Sequence, residues 1–281
     1  MPTYKDILTI NEQYALDNNK EDTAVKRLLL HYAQMSSSEL LLHLSDEMPE
    51  DKYQDFLYAV DRYVIQHVPI QHIIGTEQFF GYDFKVNGDV LIPRFETEEL
   101  VANVLLLYDE VFHGDPVDVV DIGTGSGCLA VTLSLEEANM TVLATDISDK
   151  ALAVAKDNNA TLGGRVTFVK GDLLEPLQGK RFDIVVSNPP YIPDDEFVED
   201  IIKDHEPHLA LYGGEDGLDC YRGILRGIGD HLKDRYIIAF EHAFNTAKEI
   251  KTLVKTHLPD ATIIQKKDMQ GKDRMTFVVK R

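Results

Sequence analysis

The chain has 281 residues, with 28 lysines and arginines against 48 aspartates and glutamates, for a formal net charge of -20. That balance weighs against a partner held mainly through phosphates, which needs clustered basic side chains, and favours a protein or a small molecule. Its two cysteines, Cys128 and Cys220, are too few for a disulfide framework or a cysteine-rich zinc site. No basic region precedes an apolar N-terminal stretch and no run approaches the ~20 apolar residues of a membrane helix, so a soluble, cytoplasmic chain is expected. The length suits one large domain with a small one, or two of middling size.

Residues 1–75 are expected to form a small helical bundle. Ile7, Leu8 and Ala15 give a weak apolar stripe, and Ala24, Val25, Leu28, Leu29 and Tyr32 a stronger one at helical spacing. Ser36 and Glu39 form a capping-box pattern before Leu40, Leu41 and Leu44. Another helix follows Pro49, with Phe56, Leu57, Val60 and Val64 on one face.

From Gln78 the period changes to two. Phe80, Tyr82, Phe84 and Val86 alternate with smaller or polar residues, and Asn87-Gly88 offers a type I′ turn before Val90 and Ile92, so a β-hairpin linker is expected over 76–95. Thr97 is a candidate N-cap for a helix beginning at Glu98. The segment from Leu91 to Glu98 reads either as that helix start or as a gate over a cofactor.

Residues 96–281 alternate strands with amphipathic segments of helical length. Expected strands run from Val117 to Ile122, Thr141 to Thr145, Val166 to Val169, Phe182 to Ser187, Tyr236 to Phe240, Ala261 to Gln265 and Met275 to Val279. Such alternation predicts an α/β domain built on a doubly wound, mainly parallel sheet.

Two motifs carry chemistry. The first is Asp121-Ile122-Gly123-Thr124-Gly125-Ser126-Gly127, directly after a strand, where glycines let the backbone turn tightly and approach a ligand. Cys128 stands where a dinucleotide fingerprint has its third glycine, and no lysine followed by a hydroxyl residue makes a P-loop. The pattern left is an S-adenosylmethionine turn, with Asp121 directed to the charged methionine end, Asp146 (followed by Ile147) placed for ribose hydroxyls, and Asp172 (followed by Leu173) for the adenine amino group. A helix N-cap is the plainer role for any one of these aspartates.

The second motif is Asn188-Pro189-Pro190-Tyr191 at the carboxyl end of an apolar, β-branched run, where open α/β sheets bind ligands. Asparagine offers a carbonyl acceptor, the prolines stiffen the backbone so that a main-chain carbonyl can be aimed beside it, and tyrosine offers an aromatic face. Two acceptors and a stacking wall suit an NH2 group on an amide or a base. His205 and His208 are interrupted by Pro207 and lack the surroundings of a zinc site, so no metal is expected. The acidic residues Asp194, Asp195, Glu196, Glu199 and Asp200 read as a solvated face, or as a docking surface for a basic partner.

Over nearly its whole length the chain resembles the protein-release-factor glutamine N5-methyltransferase family. The likeness rests on Gln71 to Gly75, Phe79-Phe80-Gly81, Leu91 to Glu98, Asp121 to Gly127, Asp146, Asn188 to Pro193, Glu206-Pro207 with Ala210-Leu211, and Gly213 to Leu218. It departs at Phe95, where the family usually has proline, and at Glu241 to Asn245, where the family is richer in glycine and glutamine.

The resemblance implies a Rossmann-like class I S-adenosyl-L-methionine-dependent methyltransferase domain with a seven-stranded sheet. It implies methyl transfer to the glutamine amide of the Gly-Gly-Gln motif of class 1 peptide chain release factors, which tunes translation termination. It assigns catalysis and substrate binding to Asn188, Pro189, Pro190 and Tyr191. The cofactor falls to Asp121, Gly123, Thr124, Gly125, Ser126, Gly127, Asp146, Ile147, Asp172, Leu173 and Asn188, and release-factor recognition to the N-terminal bundle. A monomer is expected. Adenine N6 methylation of DNA and a non-catalytic cofactor-binding scaffold stand as alternatives.

Overall fold

The structure is a computed structural model describing residues 1–281, and it divides into two compact units. Met1–Thr76 with Val198–His205 make the first, and Glu77–Phe197 with Glu206–Arg281 the second. The first unit contains α1 (Tyr4–Asp17), α2 (Asp22–Ala33), α3 (Ser37–Leu42), α4 (Glu50–Val64) and α5 (Ile70–Ile74). Reciprocal capping boxes open α1 at Thr3 and Asp6 and α3 at Ser36 and Glu39, satisfying amide donors that a helix start leaves free. Val25, Leu28, Leu29, Phe56 and Val60 close the core of this unit. Leu41 and Leu44 depart from the expected stripe: α3 ends at Leu42, and Leu41 faces solvent, leaving Leu40 to anchor the turn.

The second unit starts with a hairpin of β1 (Thr76–Phe79) and β2 (Tyr82–Lys85). Its turn is Phe80-Gly81, at φ +52° and +83°, rather than the expected Asn87-Gly88. Both central residues of a type I′ turn need positive φ, and here Phe80 and Gly81 meet that need seven residues earlier than expected. Asn87 instead accepts the amide of Asp89 on its own side chain at 2.9 Å, and Val90 and Ile92 are buried without forming a strand.

Helix α6 (Phe95–Phe112) leads to β3 (Val117–Ile122), α7 (Cys128–Glu136), β4 (Met140–Asp146), α8 (Asp149–Leu162), β5 (Val166–Lys170) and β6 (Phe182–Ser187). Two single helical turns follow, α9 (Asp200–Lys203), which belongs to the first unit, and α10 (His208–Leu211). The chain closes with α11 (Asp219–Gly227), β7 (Leu232–Glu241), α12 (Ala247–His257), β8 (Thr262–Lys267) and β9 (Asp273–Lys280). The seven-stranded sheet has the order β5-β4-β3-β6-β7-β9-β8. Strands β3 to β7 are parallel, and β9 runs antiparallel to both its neighbours.

Alternate side chains of each central strand enter opposite cores. Val119, Val142, Ile184 and Ile237 pack with α6 and α7, while Val120, Leu143, Val185 and Ile238 pack with α11 and α12. Burying each such side chain contributes roughly 1.5–3 kcal/mol, which is why these strands read as continuous apolar runs. The strand order reverses between β3 and β6, with β4 and β5 on one side and β7 on the other, so the carboxyl ends of these strands open a crevice at the switch point.

Candidate active site

A cavity of about 480 Å³ lies in that crevice. The glycine turn makes its floor. The amides of Gly123 and Thr124 both donate to the Thr145 carbonyl at 2.9 Å, pinning the turn to the end of β4. Gly127 follows at φ +84°, and a β-carbon there would meet the Cβ of Ala155 at 3.1 Å, so glycine permits both the turn and the close approach of α8. The buried Asn158 side chain donates to the carbonyls of Ser126 and Lys85 and accepts the Lys85 amide, tying the turn to β2.

The three aspartates have different settings. Asp121 is fully buried beneath the turn rather than in the cavity wall. Its Oδ2 accepts the Thr124 hydroxyl at 2.6 Å, its Oδ1 has no partner, and burial pushes its carboxyl up to about 7. Asp146 lines the cavity and accepts the amides of Gly125 and Ser148, both at 2.9 Å, while burial raises its pKa. Asp172 lines the cavity just beyond β5 and makes no side-chain hydrogen bond within the protein.

Gly123, Thr124, Gly125, Ser126, Ile147, Leu173, Asn188, Pro189 and Pro190 also face the cavity. Gly127 and Tyr191 do not. Tyr191 instead packs against the core beneath β6 and β7, and burial pushes its hydroxyl up to about 12.

Leu91, Pro93, Arg94 and Thr97 form a second wall, so this segment borders the crevice. The expected N-cap role of Thr97 is corrected: α6 begins at Phe95 with Arg94 as N-cap, and Thr97 lies inside the helix, 2% exposed. Its hydroxyl donates to Glu241 Oε2 at 2.7 Å and accepts from Asn188 Nδ2 at 3.2 Å. The Glu241 carboxylate at the end of β7 competes for the hydroxyl more strongly than the local amide that a cap would satisfy. Glu206 is buried at the same wall, accepting the Ile92 amide at 3.0 Å and the Arg94 guanidinium at 2.6 Å.

Glu241 was not legible as part of the site. It ends β7 as Asp146 ends β4, with Asp121 one residue before the end of β3, and that shared place near a strand's carboxyl end is the signal that points to it. It is 1% exposed, and burial pushes its carboxyl up to about 7.

The acid-edged cavity beside a glycine turn sits at the switch point of this sheet, and with the methyltransferase small domain matched around it the chain is a methyltransferase of the S-adenosylmethionine-dependent class. Residues 102–215 match the methyltransferase small domain, and residues 13–75 the PrmC N-terminal domain. A release factor glutamine methyltransferase of Bacillus subtilis is 43% identical over 98% of this chain and 96% of its own. One from Bacillus cereus is 40% identical over 93% of each. A methyltransferase of known structure from Pyrococcus furiosus shares the fold, with a TM-score of 0.52 at 17% identity over 82% of this chain and 98% of that one. The chain belongs to the release factor glutamine methyltransferase family.

Proposed function

We propose that this enzyme transfers a methyl group from S-adenosylmethionine to the side-chain amide nitrogen of the glutamine in the Gly-Gly-Gln motif of class 1 peptide chain release factors. One observation carries the chemistry. The amide of Asn188 spends its NH2 group on Thr97, so its carbonyl oxygen is left as an acceptor at the cavity wall.

The cavity suits the cofactor. Asp146 and Asp172 line it and supply acceptors for hydroxyl and amino groups, and the unpartnered oxygen of Asp121 lies beneath the turn, where a bound cation would favour the ionised carboxylate. When bound, the cofactor supplies an electrophilic methyl group on a sulfonium sulfur. The protein's task is to orient a weak nucleophile, because the amide lone pair is delocalised into its carbonyl. Asn188 Oδ1 and a main-chain carbonyl of the Pro189-Pro190 segment accept the two N–H groups and hold the lone pair toward the methyl donor. Rate enhancement then comes from orientation and preorganised acceptors. Tyr191 braces this segment from the core side.

The N-terminal unit recognises the folded release factor, and the acidic surface of the chain favours a basic partner. The enzyme acts in the cytoplasm as a monomer. Neither DNA methylation nor a scaffold role gains support from relatives at 40% and 43% identity.

The test is transfer of labelled methyl from S-adenosylmethionine to purified release factor, beside a Gln→Ala variant of its Gly-Gly-Gln loop and a duplex DNA control. Label on the unmodified factor alone is expected, and label on DNA or on nothing overturns the reading. Removing residues 1–76 is expected to abolish methylation of the intact factor, and undiminished turnover would contradict the recognition role.

A further inference from the structure

The cavity wall is backed by a polar chain that runs from Asn188 through Thr97 to Glu241, a residue that the cofactor and substrate assignments do not use. Asn188 Nδ2 donates to Thr97 Oγ1 at 3.2 Å, and Thr97 Oγ1 donates to Glu241 Oε2 at 2.7 Å. Thr97 and Glu241 are 2% and 1% exposed, so bulk water does not substitute for either partner. An asparagine amide can sit in its pocket in two orientations, which differ in whether oxygen or NH2 faces outward.

Donor and acceptor counting selects one of them. An ionised carboxylate only accepts, so Thr97 must donate to it. The threonine oxygen then offers only lone pairs to Asn188, which must present its NH2 and turn its oxygen toward the cavity. We infer that Glu241, acting through Thr97, is the positioning residue that fixes the orientation of the Asn188 amide and so makes Asn188 an acceptor for the N–H of the methyl-accepting group. This inference rests on the methyl-transfer reading of the site.

The direction of the chain reverses if Glu241 takes up a proton. A neutral carboxyl can donate to Thr97, which then donates to Asn188 Oδ1 and turns NH2 toward the substrate. Burial holds the Glu241 carboxyl at about 7, with the Thr97 hydrogen bond, Arg274 and the Asn188 side chain favouring the anion and Glu96 opposing it. Tyr191, Tyr221 and Cys128 also face this charge, and all three stay protonated because burial raises their pKa values. Burial lowers the pKa of neighbouring His242, and Arg274 is paired with Asp268 at 3.3 Å. Acid is therefore expected to disarm the site through Glu241.

The experiment compares the full-length enzyme with Thr97→Val, Thr97→Ser and Glu241→Gln. Its readings are cofactor affinity by calorimetry, kcat for methyl transfer from pH 5.5 to 9, and the Asn188 side-chain amide signals by NMR in the cofactor complex. Thr97→Val keeps the shape and removes the bridge, so kcat is expected to fall on the order of 10–100-fold, with cofactor affinity nearly unchanged. Thr97→Ser restores the bridge and is expected to recover most of that loss.

Wild-type kcat is expected to lose activity below a midpoint near 7, and Glu241→Gln to lack that limb. Asp121 titrates in the same range, so a limb that survives in Glu241→Gln belongs to Asp121 and overturns the role of Glu241. Wild-type kcat in Thr97→Val, a parallel loss of cofactor affinity, or unchanged Asn188 amide signals also overturns the inference. The NMR reading needs no methyl acceptor. It therefore judges the chain of hydrogen bonds even if wild-type enzyme leaves the release factor unlabelled, which would defeat the substrate reading instead. Thr97→Ser and Glu241→Gln change so little volume that they keep the test decisive if Thr97→Val fails to fold.

Discussion

The carbonyl oxygen of Tyr191 occupies the space that a β-carbon on Gly217 would need. The same fit recurs between the Pro190 carbonyl and Gly213, so two glycines of the Gly213 to Leu218 segment are moulded around the backbone of the Asn-Pro-Pro-Tyr turn. Hydrogen bonds register the two pieces: the Ile192 amide donates to Leu211 O at 3.0 Å, and the Gly213 amide to Ile192 O at 2.9 Å. The motif that carries the acceptor is thus held by a segment some twenty residues downstream.

Gly217→Ala follows directly from this fit. Gly217 sits at φ +73°, so alanine adds left-handed backbone strain to the collision with the Tyr191 carbonyl. Destabilisation of about 2–3 kcal/mol is expected, visible as a lower Tm. The displaced turn is expected to lower kcat more than it weakens cofactor binding, which steady-state kinetics and calorimetry would separate. Wild-type kcat at a temperature where the variant is folded would refute the buttressing role.

Asn188→Ala removes the acceptor and leaves the glycine turn and the aspartates in place. Methyl transfer is expected to fall on the order of 10²–10³-fold, the scale of losing one preorganised hydrogen-bond group at a reacting centre. Cofactor affinity is expected to stay nearly intact. A matching loss of affinity would make Asn188 a binding residue instead.

Asp121 links stability to pH. Its folded pKa is raised from 3.8 to about 7, so between those values the unfolded chain has released its proton while the folded chain keeps it. Stability of the cofactor-free protein therefore falls through this window as pH rises and levels off above it, a contribution of roughly 3–4 kcal/mol. Asp121→Asn carries no charge and is expected to reduce the slope of the fall between pH 5 and 7, leaving the share that buried Glu241 contributes over the same range, read from denaturant midpoints at each pH. An unaltered slope would show that Asp121 does not carry the linkage.

The two thiols are expected to be inert. Both line the cavity, and burial pushes Cys128 up to about 12 and Cys220 up to about 11, so almost no thiolate forms at pH 8. Alkylation by iodoacetamide should run on the order of 100-fold slower than for a free thiol, and slower again with cofactor present. Fast labelling of either cysteine in folded protein would contradict this.

The sheet was legible because its strands are buried on both faces, so unbroken runs such as Phe182 to Ser187 admit little else at that length. The glycine turn and Asn188 to Tyr191 were legible because each needs special backbone at a strand end. The hairpin turn was misplaced because Asn87-Gly88 satisfies the pair rule in sequence while Phe80 adopts positive φ under the demands of Phe79 and Phe84, whose rings meet edge-on at 5.9 Å. Thr97 and Glu241 were missed as partners because they lie 144 residues apart, and no local pattern announces a hydrogen bond of that range.

Strand β9 has a consequence for synthesis. It lies between β7 and β8 but follows β8 in the chain, so β8 emerges before its neighbour exists. Until residues Asp273–Lys280 are made, β7, which carries Glu241, has a bare edge on that side. The strand that aligns the acceptor therefore gains its second neighbour only after β9 has been made, later than β8 on the far side of it.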